Sequence, residues 1–167
     1  GLLSEDRKGE GLALRMSLAD NATLSHLDGL GPAGFVQPSR QHAAAARWIE
    51  RLGIRCRGSR QAAGELSGGN QQKVALARLL HHDVDVFLLD EPTRGIDVGA
   101  KAEIYALIDR LALAGKSVLI VTSYLPELLG VCDRVAVMRR GRLGPLKPSA
   151  GLTEQGLLME AMGEAGA

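Results

Sequence analysis

The chain has 167 residues, of which 46% are hydrophobic and 23% charged, enough apolar material to bury one globular core and too much for a disordered segment. Twenty basic residues against nineteen acidic ones leave a formal charge of +1, so the composition carries no whole-chain footprint for nucleic acid. No apolar run approaches the roughly 20 residues that span a bilayer, and the charged opening does not read as a signal peptide. Cys56 and Cys132 stand far apart without a C-x-x-C, which points to two thiols in a reducing compartment rather than a disulfide framework. The sequence begins at Gly1 without a start Met and reads as a piece of a longer chain.

In chain order, residues 1–36 are rich in glycine and small residues and predict one short helix from about Ser17 to Leu27, followed by a turn-rich stretch. Gly29, Gly31 and Gly34 match G-x-G-x-x-G, but Pro32 sits inside the match and no apolar strand precedes it, so it is not read as a dinucleotide fingerprint. From about Ser39 to Leu52, Ala45, Trp48, Ile49 and Leu52 recur at helical spacing, and Gly53 ends the helix. Trp48 is read as packing. The basic cluster Arg51, Arg55, Arg57 and Arg60 has no interleaved aromatics and is read as a solvated face rather than a nucleic-acid groove.

At Leu66 to Lys73 the chain reads L-S-G-G-N-Q-Q-K, followed by a run of strong helix formers to about His81. Ser67 is a good N-cap, and two glycines allow close approach of backbone to a ligand. A helix N-terminus with exposed N–H groups suits a phosphate, although a plain capped helix after a glycine turn fits the same letters. His81, His82 and Asp83 lack further ligands and are read as helix-end and surface residues.

Val86 to Leu89 then predict a short strand buried on both faces, with Asp90 and Glu91 at its carboxyl end and Pro92 stopping it. Acidic residues there stand where open α/β sheets bind ligands, and an adjacent pair can divide metal holding from base chemistry; the alternative is a strand running into a polar turn. Asp97 caps an amphipathic helix from Val98 to Ala114, ended by Gly115. Ser117 to Thr122 predicts a second buried strand, Leu125 to Gly130 a short helix, Val135 to Met138 a third strand, and Thr153 caps a last helix to about Met162. The alternation gives an α/β fold with a parallel layer. Gly115-Lys116-Ser117 leads into a strand and is a turn; no G-x-x-x-x-G-K-[ST] phosphate cradle occurs in these residues.

Together, the Leu66 to Lys73 and Val86 to Asp97 stretches resemble the signature, Walker B and D-loop motifs of the ATP-binding cassette family, more narrowly the second cassette of tandem ATPase subunits of bacterial monosaccharide importers. The resemblance covers about Ser4 to Gly163 and implies a partial nucleotide-binding domain lacking its Walker A part, a parallel-sheet core half plus a helical signature subdomain. The implied division is 1–82 for the Q-loop region and helical subdomain, 83–145 for the Walker B, D-loop and switch half, and 146–167 for a C-terminal tail helix. The implied cofactors are ATP and Mg2+. Asp90 would hold Mg2+ through water and Glu91 would be the catalytic base. Ser67, Gly68, Gly69 and Asn70 would meet ATP bound on an opposite cassette, and Asp97 would bridge the two. Glu5 falls where most cassettes carry the Q-loop Gln, and Tyr124 where most carry the switch His; a phenol does not accept a proton near neutral pH as an imidazole does.

The implied function is coupling of ATP binding and hydrolysis to sugar import. Its alternative is a non-hydrolysing module that donates its signature loop in trans and docks on a membrane subunit. The implied partners are a second nucleotide-binding cassette, transmembrane permease subunits and, indirectly, a periplasmic sugar-binding protein, with no nucleic acid. The implied place is cytoplasmic, peripheral on the inner face of the plasma membrane.

Overall fold

A computed structural model describes residues 1–163, apart from the Lys8 side chain. Along the chain it contains β1 (Leu2–Leu3), a π-helical turn (Arg7–Gly11), α1 (Leu18–Thr23), α2 (Pro38–Arg51), a 3-10 turn (Ala63–Glu65), α3 (Gly68–His81), β2 (Val86–Asp90), α4 (Val98–Leu113), β3 (Ser117–Val121), α5 (Leu125–Val131), β4 (Arg134–Val135), β5 (Met138–Arg139), β6 (Arg142–Leu143), β7 (Lys147–Pro148) and α6 (Glu154–Met162). The chain divides into two compact units, Gly1–Leu119 and Ile120–Ala167.

In the first unit, β1 pairs in parallel with β2, Leu2 opposite Leu88 and Leu3 opposite Leu89, in a sheet ordered β1-β2-β3. Helix α4 connects β2 to β3, as parallel layers require. The sheet buries one face. Phe87 and Leu89 are each 1% exposed, whereas Val86 is 50% and Leu88 40% exposed, with Leu2 and Leu119 uncovered as well. The expectation of burial on both faces is therefore corrected: the four apolar letters of β2 alternate between the core and a largely exposed face.

Helices α1, α2 and α3 pack together beside this sheet, α1 lying against both others. Ser17 begins α1 with a complete capping box: its hydroxyl accepts from the Asp20 N–H at 3.1 Å, and the Asp20 carboxylate accepts from the Ser17 N–H at 3.1 Å. The helix ends at Thr23, one turn earlier than its letters predict. The interhelical core is built of alanines (Ala19, Ala22, Ala45, Ala77), which lets the helices approach closely, with Trp48 and Leu52 closing its edge. Trp48 Nε1 donates to His81 Nδ1 at 3.3 Å, and His81 Nε2 contacts the His26 carbonyl at 3.0 Å, which fixes a neutral ring with its proton on Nε2. His81, at the end of α3, is thus a half-buried hydrogen-bonding residue rather than a purely surface one. Among the described residues no group of three or more His, Cys, Asp or Glu could hold a metal ion.

In the second unit, the single strand expected over Val135 to Met138 is replaced by two short ones. β4 pairs antiparallel with β7, and β5 pairs antiparallel with β6. The β5–β6 connection is Arg140-Gly141, both at positive φ (46° and 77°), the backbone of a tight hairpin turn where the letters Arg139 to Arg142 read as a turn, and the strands it joins are antiparallel where a further parallel strand was expected. Helix α6 is capped by the Thr153 hydroxyl, which accepts from Gly156 N–H at 3.1 Å. It buries Leu157 and ends at Gly163 in the left-handed region.

Replacing Phe87 by Ala is expected to cost about 3–5 kcal/mol, and Val86 by Ala less than about 1 kcal/mol, because only the first leaves a core cavity; urea denaturation of the two variants checks this one-sided burial. The pH dependence of stability tests the His81 contact. Burial pushes the His81 imidazole below its ordinary value, reinforced by His26, Arg47 and His82 and opposed by its bond to the His26 carbonyl. A depressed folded value means that the unfolded chain takes up the proton first, so stability is lost as pH falls below about 6.5. The denaturation midpoint of the native sequence should drop between pH 7.5 and 5.5 more steeply than that of His81→Gln.

Candidate functional site

The residues singled out at Leu66 and Val86 converge within the first unit. Helix α3 starts at Gly68 with Ser67 as N-cap residue, its backbone extended at φ −62° and ψ 157°. The Ser67 hydroxyl does not bond the helix backbone. It accepts from Asn70 Nδ2 at 2.9 Å, which leaves its own O–H as a donor. Asn70 Oδ1 in turn accepts from the Arg55 N–H at 2.8 Å, so the Asn70 carboxamide clamps the loop after α2 onto the first turn of α3.

Helix α4 starts one residue after Asp97, whose Oδ1 accepts from Ala100 N–H at 2.9 Å. The two helix starts are in direct contact. A Cβ built on Gly69 would lie 2.6 Å from the Ala100 Cβ and 3.7 Å from Asp97 Oδ2, and one on Gly68 would lie 3.2 Å from the Gly95 carbonyl oxygen. A side chain at Gly69 would therefore force Ala100 to shift, and one at Gly68 would press on the Gly95 backbone. Lys73, one turn further along α3, is almost wholly buried, donates to the Gly53 carbonyl at 3.0 Å and pairs with Glu103 of α4, fixing the two helices side by side.

Asp90 is the last residue of β2 and is half-buried. Glu91 follows at φ +44°, a left-handed conformation that costs a residue with a Cβ about 1–2 kcal/mol. Such strain, held at the carboxyl end of a sheet strand, marks a place where the surrounding structure over-determines the backbone. Pro92 and Thr93 are buried beneath it, the Thr93 and Tyr105 hydroxyls lie 3.3 Å apart, and the Arg94 N–H closes the turn on the Glu91 carbonyl at 3.1 Å.

Glu5 lies against this turn, its carboxylate paired with Arg94. Arg7 donates from Nη1 to the Gly68 carbonyl at 3.1 Å, and burial lowers its guanidinium pKa. Sequence reasoning missed Arg7, Arg94 and Lys73 as site-forming residues, and nothing local in the letters signals the Arg7 contact, which closes across 61 positions. Tyr124 belongs to the second unit, where it precedes α5 as an exposed residue whose N–H donates to the Thr122 hydroxyl at 3.1 Å.

The arrangement suits a polyanion and a hard cation. The contacting starts of α3 and α4, with Arg7 and the Ser67 hydroxyl, present donors and positive partial charge on one surface. Asp90 supplies one carboxylate, and a magnesium ion that keeps most of its waters and takes its other ligands from phosphates needs no larger protein cluster. The donor set therefore fits a magnesium–nucleotide ligand. Gly69→Ala should displace the start of α4 and destabilise the fold by about 1–3 kcal/mol through overpacking, with Gly29→Ala, where nothing lies within 4 Å, as the strained but uncrowded comparison; thermal melts of both check it.

The sequence profile described as ABC transporter matches residues 3–94. The chain is 47% identical over 165 residues to the ribose import ATP-binding protein RbsA 3 of Rubrobacter xylanophilus, covering 98% of this chain and 32% of that protein. It is 49% identical over 162 residues to the arabinose import ATP-binding protein AraG 2 of Burkholderia thailandensis, covering 96% and 31%. It thus spans about a third of the length of the curated relatives it matches. Among solved structures it is similar in fold to a dimeric ATP-binding cassette in a post-hydrolysis state bound to ADP and Pi, with a TM-score of 0.72 and 22% identity, covering 91% of this chain and 63% of that one. It is likewise similar to an inward-facing, metal-chelate type ABC transporter, with a TM-score of 0.75 and 15% identity, covering 91% and 60%.

Proposed function

The chain belongs to the ABC transporter family, and from that premise we propose that it is the signature-bearing part of a cassette that couples ATP binding and hydrolysis to sugar import. The observation that carries this reading is the contact between the Ser67 to Gly69 loop and the Gly95 to Asp97 loop, which lets both face one nucleotide from the same side. In this reading the ATP lies on a second cassette. The Ser67 hydroxyl and the N–H groups of the first α3 turn donate to its terminal phosphate, Asn70 holds Ser67 in place, and Asp97 bridges toward the partner. Ribose and arabinose are the sugars named for the relatives, and a pentose is the proposed cargo class.

At the end of β2, Asp90 would hold Mg2+ through water, and the ion when bound neutralises charge developing on the phosphates. Glu91 orients the attacking water and accepts its proton, a contribution of about 10² to 10⁴ in rate. The strained backbone at Glu91 supports the reading, since residues held in such conformations cluster at active sites. Residues 1–82 then serve as Q-loop region and helical signature part, 83–145 as the Walker B, D-loop and switch part, and 146–167 as a tail. The proposed partners are a second cassette, permease subunits and, through them, a periplasmic sugar-binding protein. The proposed place is the cytoplasmic face of the inner membrane. No helix among the described residues is long and apolar enough to cross it.

One observation favours the second reading, a cassette that donates its signature but does not hydrolyse at its own site. The Glu5 carboxylate, at the position where a neutral Gln is expected, is already paired with Arg94. A phenol at Tyr124 in place of an imidazole acts in the same direction.

The two readings separate in the assembled transporter. Glu91→Gln should cut ATP turnover by at least about 10² if this site hydrolyses and leave it unchanged if it does not. Ser67→Arg should impair turnover at the other cassette's site under either reading, and unchanged single-turnover kinetics there would overturn donation in trans.

A further inference from the structure

The segment just after β1 touches both nucleotide-facing loops at once. Glu5 pairs with Arg94, at the start of the loop that ends in Asp97, and Arg7 donates to the carbonyl of Gly68 at 3.1 Å, in the other loop. The Arg7 guanidinium also lies alongside the Gly95 turn: a Cβ on Gly95 would be 3.5 Å from Nη2, and one on Gly68 would be 3.7 Å from both Nη1 and Nη2. Gly95 holds its own turn at φ +67°, and its carbonyl faces Gly68 across the gap that the guanidinium flanks. The two loops come from different helices and meet where Gly68 faces the Gly95 carbonyl and Gly69 faces Ala100. Their relative position is therefore sensitive to whatever spans them.

We propose that Arg7 is the positioning residue that holds the Ser67 to Gly69 loop in register with the Gly95 to Asp97 loop, so that the two meet a nucleotide on another cassette as one surface. This rests on the reading that the signature is donated in trans. The chemistry favours arginine for the task. A planar fork with donors on two nitrogens can hold a carbonyl on one loop while lying flat against the backbone of the other, which the point charge of a lysine on a flexible stem cannot do. The contact also gives the residues after β1 a direct mechanical line to the donated loop: displacement of 5–7 moves Gly68 through Arg7 and Arg94 through Glu5.

The test is made in the full protein assembled with the ATP-holding cassette, comparing Arg7→Ala, Arg7→Lys and Ser67→Arg. Arg7→Ala should lower kcat at the partner's site about tenfold with KM for ATP within about twofold, because the ATP is held by the partner's own residues. Amide hydrogen exchange at 67–70 and 95–97 should quicken about tenfold while that of α2 and α6 stays unchanged, a pattern that general loss of stability would not produce. Arg7→Lys should fall between native and Ala in both readouts. If Ser67→Arg impairs turnover and Arg7→Ala changes neither kcat nor exchange, the role of Arg7 is overturned while donation in trans stands. If Ser67→Arg has no effect, donation falls and the role of Arg7 with it. Should Arg7→Ala not fold, Arg7→Lys decides: native behaviour in both readouts overturns the proposal, and a partial loss supports it.

Discussion

Two helices begin within van der Waals reach of each other, and the rest of the site depends on that contact. The first turns of α3 and α4 meet through Gly69 and Ala100 at a separation that leaves no room for a further methyl group. Each helix start carries unsatisfied N–H groups and a partial positive charge of about one half, so bringing two together is electrostatically unfavourable until something negative lies between or beside them. Asp97 supplies part of that charge from within the chain by capping α4. A nucleotide phosphate on a facing cassette would supply the rest. The same geometry thereby favours an anion there.

Around that contact the chain uses unlike devices for one end. Lys73 ties the helix bodies together by a buried cation, Asn70 fixes the loop that leads into α3, and the 5–7 segment spans the two loop tips. Each acts at a different distance from the helix starts. Of these, the lysine is the most buried, its cation satisfied by the Gly53 carbonyl and the exposed Glu103 carboxylate. The Asp90 and Glu91 carboxylates stand apart from this scaffold at the end of β2, a strand anchored by Phe87 and Leu89 in the core.

Much of this was legible in the letters. Asp97 as a cap and the glycine ends of α2 and α4 follow from capping chemistry, and the start of α3 at its two glycines and the end of β2 before Pro92 follow from glycine and proline punctuation, all of it local and therefore readable. Strand β1 was not, because two residues carry no period. The one-sided burial of β2 escaped because an apolar strand of four letters reads the same whether one face is covered or two. The turn at Arg139 to Arg142 was legible, but the antiparallel pairs of the second unit were not, because strands of two residues carry no period and their direction is set by partners the letters do not name. Arg7 is the extreme case: its partner lies far off in sequence, and only the fold brings it close.

The backbone at Glu91 bears on how such a protein responds to selection for robustness. A left-handed residue is most comfortable as glycine, next as asparagine, so a library screened for thermal tolerance alone would be drawn to replace Glu91 early. Under the proposed chemistry that replacement would yield a sturdier protein with no base. The carboxylate stands where folding would rather have nothing, and an engineer who wants a durable cassette must leave that one discomfort in place and gain stability elsewhere.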